Sequence, residues 1–259
     1  MTAEDSSPDL GAGAIVMIPT YNESENLGSI VARTLAAVPA AHVLIVDDGS
    51  PDGTGALADR LAAADGRLHV LHRTEKSGLG AAYLAGFRWA FERDYDTIIE
   101  MDADGSHPPE KLPQMLATLA TPGVGLVIGS RWTAGGRVID WPRSRELLSR
   151  SANVYARLAL GIRVKDSTGG FRAYRASVLK AIDISGIASE GYCFQVDLTL
   201  RTLSAGARVI EVPIDFHERE FGVSKMSGGI VIEAMSKVTA WGIGRRMSQL
   251  RGLFGARVV

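Results

Sequence analysis

Residues 98–110, IIEMDADGSHPPE, decide how this chain is read. An apolar strand runs into two aspartates one residue apart, and then Gly, His and two prolines end it. A buried strand has no structural need for Asp102 and Asp104, so a cation or a charged ligand should meet them. Side chains of an extended segment alternate, which predicts both carboxylates on one side. Such a pair suits a hard cation, Mg²⁺ or Mn²⁺, completed by substrate phosphates and waters. Helix capping on a surface loop is the plainer use of the same residues.

Apolar runs recur on both sides, at 14–18 (AIVMI), 42–46 (HVLIV), 68–71 (LHVL) and 124–129 (VGLVIG). Helical patterns lie between them at about 24–37, 54–64, 79–92 and 110–120. This alternation predicts an α/β fold, with a mainly parallel central sheet and helices on both faces. Ligands of such sheets bind beyond the carboxyl ends of the strands. PTYNE, DDGSPDGT, DADGSHPP and GSRW all fall there. The second half predicts helices at 144–160, 194–205 and 227–243, with a strand in ARVIEVPIDF. One domain at 14–243 is expected, between a loose tail at 1–13 and a basic tail at 244–259.

Bulk properties narrow the class. With 46% hydrophobic and 22% charged residues, the 259-residue chain is an ordinary globular one. A formal charge of −1 argues against a nucleic-acid binder. Cys193 is the single cysteine, which excludes an internal disulfide and a cysteine metal site; it is expected as a small buried apolar residue. The N-terminus has no basic start and apolar core, so it does not read as a signal peptide. The uncharged stretch 112–130 is broken by Pro113, Pro122, Gly123 and Gly125 and reads as helix, turn and strand, not as a span. A soluble or peripheral protein is expected.

VDDGSPDGT is a second acidic elbow. Asp47 and Asp48 end a strand, SPDG fits a tight turn, and Asp52 or Thr54 suits a helix cap. Beyond capping, one of these carboxylates suits a ribose or base. No G-x-G-x-x-G or P-loop motif occurs, which argues against a dinucleotide fold and P-loop chemistry. Phosphoacceptor receiver domains also carry two early acidic residues, but they are about half this length. Arg131, Arg145, Arg219 and Lys225 together suit phosphate, though any one taken alone reads better as a solvated surface charge. Acidic elbow plus basic cluster predicts a nucleotide diphosphate whose departure a cation assists.

PTYNE, VDDGSPDGT, KSGLG, MDADGSHPPE, GSRW, STGGFRAYR, EGYCFQVDL, EVPIDFHER and GVSK occur in this order across residues 14–243. The set resembles the dolichol-phosphate (polyprenol-phosphate) mannose synthases of glycosyltransferase family 2, which have the GT-A fold. The resemblance implies GDP-mannose as donor, a polyprenyl or dolichyl monophosphate as acceptor and a β-linked mannosyl phosphate as product. It implies that Pro19, Tyr21, Glu23, Val46 and Asp48 line the guanosine pocket. Asp102, the Ala103 backbone and Asp104 would meet the metal and diphosphate. Arg131, Arg219 and Lys225 would hold phosphates, and Arg145 would face that of the acceptor. Many relatives read DADLQHP, whose Gln is a further ligand; here Gly105 and Ser106 stand instead, and the Ser106 hydroxyl is the implied third ligand.

A phosphate monoester is largely a dianion at neutral pH, its second pKa being about 6. Such a nucleophile needs no strong base, so His107, beside two prolines, is expected as a turn residue. Attack on C1 opposite the leaving diphosphate inverts the anomeric centre. UDP-glucose as donor, and a non-enzymatic nucleotide-binding module, are the alternatives left open. A polyprenyl acceptor implies a protein peripheral to the cytoplasmic face of the membrane. Leu147, Val154 and Leu158 on the 144–160 helix suit that contact, as do Ile230, Ala234, Val238 and Trp241 on the next. Both stripes also suit packing on the protein's own core. The basic tail suits anionic lipid or a separate membrane-anchored partner.

Overall fold

The computed structural model describes residues 9–75, 77–184, 187, 192–218 and 235–247. Arg219, Lys225, residues 227–234 of the expected closing helix and residues 248–259 of the basic tail lie outside the described residues.

The first half runs β1 (Ala14–Thr20), α1 (Leu27–Ala37), β2 (His42–Asp47), α2 (Thr54–Ala64), β3 (Leu68–His72), α3 (Leu79–Phe91) and β4 (Thr97–Glu100). Then follow α4 (Leu112–Leu119), β5 (Val124–Ser130), β6 (Arg137–Ile139), α5 (Arg143–Leu160), β7 (Arg172–Arg175) and α6 (Ala176–Ala181). The chain goes on through α7 (Tyr192–Ser204), β8 (Arg208–Pro213) and β9 (Asp215–His217) to a helix, α8, over residues 235–247.

Seven strands form one sheet in the order β3-β2-β1-β4-β7-β5-β8, and β6 pairs with β9 beside it. β7 is antiparallel to both its neighbours, and every other pair is parallel. Both faces are covered, and β1 shows why its sequence is continuously apolar. Val16 and Ile18 face the core beneath α1 and α4, while Ile15 and Met17 face the core beneath α3, α5 and α7.

The amphipathic pattern at 144–160 is α5. Its inner positions, Ala156 and Leu160, are buried, while Leu147 and Leu158 stand 67% and 65% exposed. α8 lies along α5: Tyr155 Oη is 2.5 Å from Thr239 Oγ1, and Arg246 Nη2 donates to the Leu158 carbonyl at 3.2 Å. Gly242 permits this approach, since a Cβ there would meet the Ala159 carbonyl oxygen at 2.4 Å. Val238 and Trp241, expected as possible membrane contacts, turn inward onto the core. The outward face of α8 is instead Met235, Ile243 and Met247.

Candidate active site

The loops after β1 and β2 are sewn together. Asp52 accepts hydrogen bonds from the Thr54 amide (3.0 Å), the Thr54 hydroxyl (2.6 Å) and the Ser24 amide (3.2 Å). Burial opposes its charge, but these bonds outweigh that and hold its carboxyl at about 2. The Glu23 amide donates to Thr54 Oγ1 at 2.9 Å, and the Asn22 amide to Ser50 Oγ at 3.0 Å. Tyr21 and Glu23 are thereby fixed beside the end of β2. Asp48 meets Arg73 at 2.6 Å, a pairing the motif reading missed. The Val46 side chain is wholly buried in the core under α3, because a central strand buries both faces.

β4 ends at Glu100, and residues 103–105 bend, with Gly105 at φ +77. The bend, not extended alternation, sets the two aspartates. Asp104 is only 8% exposed, and its Oδ1 accepts from both the Ser106 hydroxyl (2.6 Å) and amide (3.1 Å). Ser106 therefore orients Asp104 in this arrangement. Asp102 is more open, its side chain 33% exposed, and Tyr83 donates to its Oδ1 at 3.3 Å. Ala103 between them is buried in the core. His107 sits in the turn as expected: it is buried, its Nδ1 accepts from the Asp102 amide at 3.0 Å, and its ring stacks on Phe171.

The donor set at this elbow is two carboxylates and a hydroxyl, all hard oxygens that suit Mg²⁺ or Mn²⁺. No group of three His, Cys, Asp or Glu side chains converges among the described residues. The set thus fits a cation that takes its remaining ligands from a bound diphosphate and water.

Beyond the end of β5 lies an open groove of about 740 Å³, its continuity with solvent included. Its head carries Arg131, Arg145, Trp141 and Thr168, and its walls Leu148, Ala156, Val196, Met235 and Val238. The expected buried Cys193 also lines it. Arg131 is 6% exposed and held by a fork: its Nε and Nη2 donate to Asp166 at 2.8 and 2.7 Å, and its amide at 2.9 Å. Nη2 also reaches Thr168 Oγ1 at 3.1 Å. Arg145 donates through Nη1 to Glu218 Oε1 at 2.6 Å and contacts Oε2, while its guanidinium lies 3.9 Å over the Trp141 ring. Arg150 lies 4.2 Å over Trp132.

Two buried donors at this head, Arg145 Nε and Trp141 Nε1, have no hydrogen-bond partner among the described residues, and neither does Nε1 of Trp132, next in sequence to Arg131. A buried donor left unpaired costs about 1–3 kcal/mol, so a cluster of them marks a place for an anionic acceptor of hydrogen bonds. The structure thus gathers Arg131 and Arg145 at one groove and Asp102 and Asp104 at one elbow. Asp166 and Glu218, which hold the two arginines, were missed from sequence. DSTGG did place an acid beside a quoted motif, but nothing in a linear reading pairs it with residue 131.

A mostly parallel sheet with an acidic elbow at its carboxyl edge and a cationic groove beside it defines a nucleotide-sugar-handling class. Residues 15–183 match the family profile described as glycosyl transferase family 2, and the chain belongs to that family: it is a sugar-transferring enzyme of the GT-A fold. It is 57% identical over 240 residues to the polyprenol monophosphomannose synthase of Mycolicibacterium smegmatis, covering 92% of this chain and 90% of that one. It is 55% identical over 241 residues to the undecaprenyl-phosphate mannosyltransferase of Micrococcus luteus, covering 93% and 98%. Among solved structures, glucosyl-3-phosphoglycerate synthase from Mycobacterium tuberculosis, in complex with Mn²⁺, UDP-glucose and phosphoglyceric acid, superposes with a TM-score of 0.65. That match is 20% identical and covers 91% of this chain and 81% of that one; it speaks for the fold alone.

Proposed function

We propose that this enzyme moves mannose from GDP-mannose to a polyprenyl monophosphate, giving polyprenyl β-D-mannosyl phosphate and GDP. The observation that carries this reading is the groove, with an apolar body and a head of arginines and unpaired buried donors. That shape suits an ionised phosphate on a hydrocarbon chain. The names of the two mannosyl-transferring relatives support the sugar and acceptor class. Arg131 and Arg145 bind the acceptor phosphate. Pro19, Tyr21, Glu23 and Asp48 receive the guanosine, and Arg219 and Lys225 are assigned to phosphates by resemblance. Asp102 and Asp104, with Ser106 beside them, hold a divalent cation whose chemistry is to neutralise the departing diphosphate. One acceptor phosphate oxygen forms the bond to C1 as the bond from C1 to the GDP oxygen breaks, and GDP leaves with that electron pair. The acceptor is already ionised, so no protein base is required.

The test is transfer of radiolabelled sugar into organic-extractable lipid from GDP-mannose and UDP-glucose in parallel. Label from GDP-mannose alone, lost with EDTA, is the expected result; label from UDP-glucose alone overturns the donor. In the same assay Arg145→Ala should raise the KM for polyprenyl phosphate about 10-fold or more, with the donor KM little changed. Equal loss of both would remove Arg145 from the acceptor site.

The acceptor's chain lies in a bilayer, and the groove opens beside a fitting surface. Among the described residues, every exposed large hydrophobic side chain except Leu79 lies on α5 or α8. Leu147, Val154 and Leu158 form the outer stripe of α5, with exposed Arg143 and Arg150 nearby. No helix among the described residues is long and apolar enough to cross a membrane. We therefore infer peripheral docking on the inner membrane face through α5 and α8. Leu147→Ser with Leu158→Ser should weaken co-sedimentation with anionic phospholipid vesicles at least ~10-fold, since each leucine buried is worth about 1.5–3 kcal/mol. Equal binding of the double variant would overturn this face. Wild-type protein left in the supernatant would point to a membrane-anchored partner.

A further inference from the structure

Glu211, on β8, belongs to no site assigned above, yet three donors converge on its carboxylate. Ser130 Oγ donates to Oε1 at 2.7 Å, the Asp166 amide to Oε1 at 2.9 Å and the Lys165 amide to Oε2 at 2.9 Å. Each of the first two bonds leads to the head of the groove. Asp166, wholly buried, forks Arg131 through its side chain and takes the Arg131 amide as well. Ser130, also wholly buried, accepts from the amides of Trp132 and Thr133 at 3.3 and 3.1 Å. The Trp132 ring lies 5.4 Å from the Arg131 guanidinium.

We propose that Glu211 is a positioning residue that sets both Arg131 and Trp132 for the acceptor phosphate, through Asp166 on one branch and Ser130 on the other. The proposal rests on the reading of the groove as the acceptor site. Its physical basis is that a long guanidinium binds phosphate well only if its rotamer is already held. Asp166 holds it, and Asp166 lies in the loop between α5 and β7, where no strand pairing fixes it. The two bonds from residues 165 and 166 to Glu211 fasten that loop to β8. β8 lies beside β5, at whose end Arg131 begins its turn, with Ser130 opposite Pro213. One carboxylate therefore ties the loop carrying Asp166 to the turn carrying Arg131.

Three donors need the acceptor capacity of a carboxylate. Glu211→Gln keeps the volume but turns one oxygen into an NH₂ that faces a donor. The full-length variant should raise the KM for polyprenyl phosphate about 10-fold, while the GDP-mannose KM stays within about twofold. Ser130→Ala cuts only the Trp132 branch and should give a smaller rise of the same kind; it also serves if Glu211→Gln folds poorly. Donor and acceptor KM rising together, or neither moving, would overturn the assignment. Should the wild type transfer no mannose, the mannosyl reading falls by itself. The crystal structure of Glu211→Gln then decides the relay: an unchanged Arg131–Asp166 fork and Trp132 turn would refute it.

Discussion

Asp104→Ala should lower turnover by roughly 10³-fold while the protein stays folded, the usual scale for removing a group that stabilises departing charge. Asp104 is the better-held of the two elbow carboxylates, nearly buried and clamped by both donors of Ser106. Its removal frees those two donors, which costs only about 1–3 kcal/mol of stability. Near-ultraviolet circular dichroism should therefore match the wild type when turnover has vanished. Asp104→Asn is the finer instrument, since it keeps shape and loses charge. In the proposed reading both variants should be insensitive to EDTA, having no metal-dependent rate left to lose. Near-normal turnover from either variant would sink the metal assignment.

Arg172→Met should destabilise the protein by about 3–5 kcal/mol, because it deletes a buried charge whose partners stay behind. Arg172 is fully buried and donates five hydrogen bonds: to the carbonyls of Gly169, Gln195 and Ser167, and to the hydroxyls of Tyr174 and Thr199. Methionine fills much of the volume and satisfies none of them. A shift of the urea midpoint worth under about 1 kcal/mol would refute this account.

The same cluster makes stability depend on pH. Glu100 pairs with Arg172 across β4 and β7, and its Oε1 has no hydrogen-bond partner among the described residues. Burial pushes its carboxyl from 4.5 up to about 8, against the pull of Arg172 and a hydrogen bond from Gln195. Between those values the folded protein keeps a proton that the unfolded chain has lost. Stability from this group is therefore complete below about 4.5 and falls as pH rises towards 8, at up to about 1.4 kcal/mol per pH unit. Asp52, held at about 2, acts only in stronger acid and in the opposite sense. Urea midpoints of metal-free protein from pH 5 to 8 should show this slope, and Glu100→Gln should lose it. An equal slope in the variant would assign the effect elsewhere.

Linear sequence was enough for the sheet's parallel half and for the acidic elbows. β1, β2 and β4 are buried on both faces, so each reads as a near-continuous apolar run, and the carboxylates that end β2 and follow β4 break that pattern visibly. β7 was not legible. RAYR carries two arginines in four residues, and a central strand centred on a buried Arg172 violates the hydrophobic pattern by which strands are recognised. The stripe on α8 was half legible: periodicity located Val238 and Trp241, but only packing against α5 decided that they turn inward and that Met235, Ile243 and Met247 face out.

The arginines show the same division most sharply. Sequence determined that Arg131 and Arg145 follow β5, which is a matter of local order along the chain. Tertiary structure decided that Asp166, 35 residues on, forks the one, that Glu218, 73 residues on, meets the other, and that Glu211 stands behind the first. Partners so far apart in the chain leave no periodicity and no composition signal; they meet because β5, β7 and β8 share a sheet edge. Residue types and their local order therefore set which chemistry this chain carries, while strand order set which charges touch, since a hydrogen bond is a condition on distance in space.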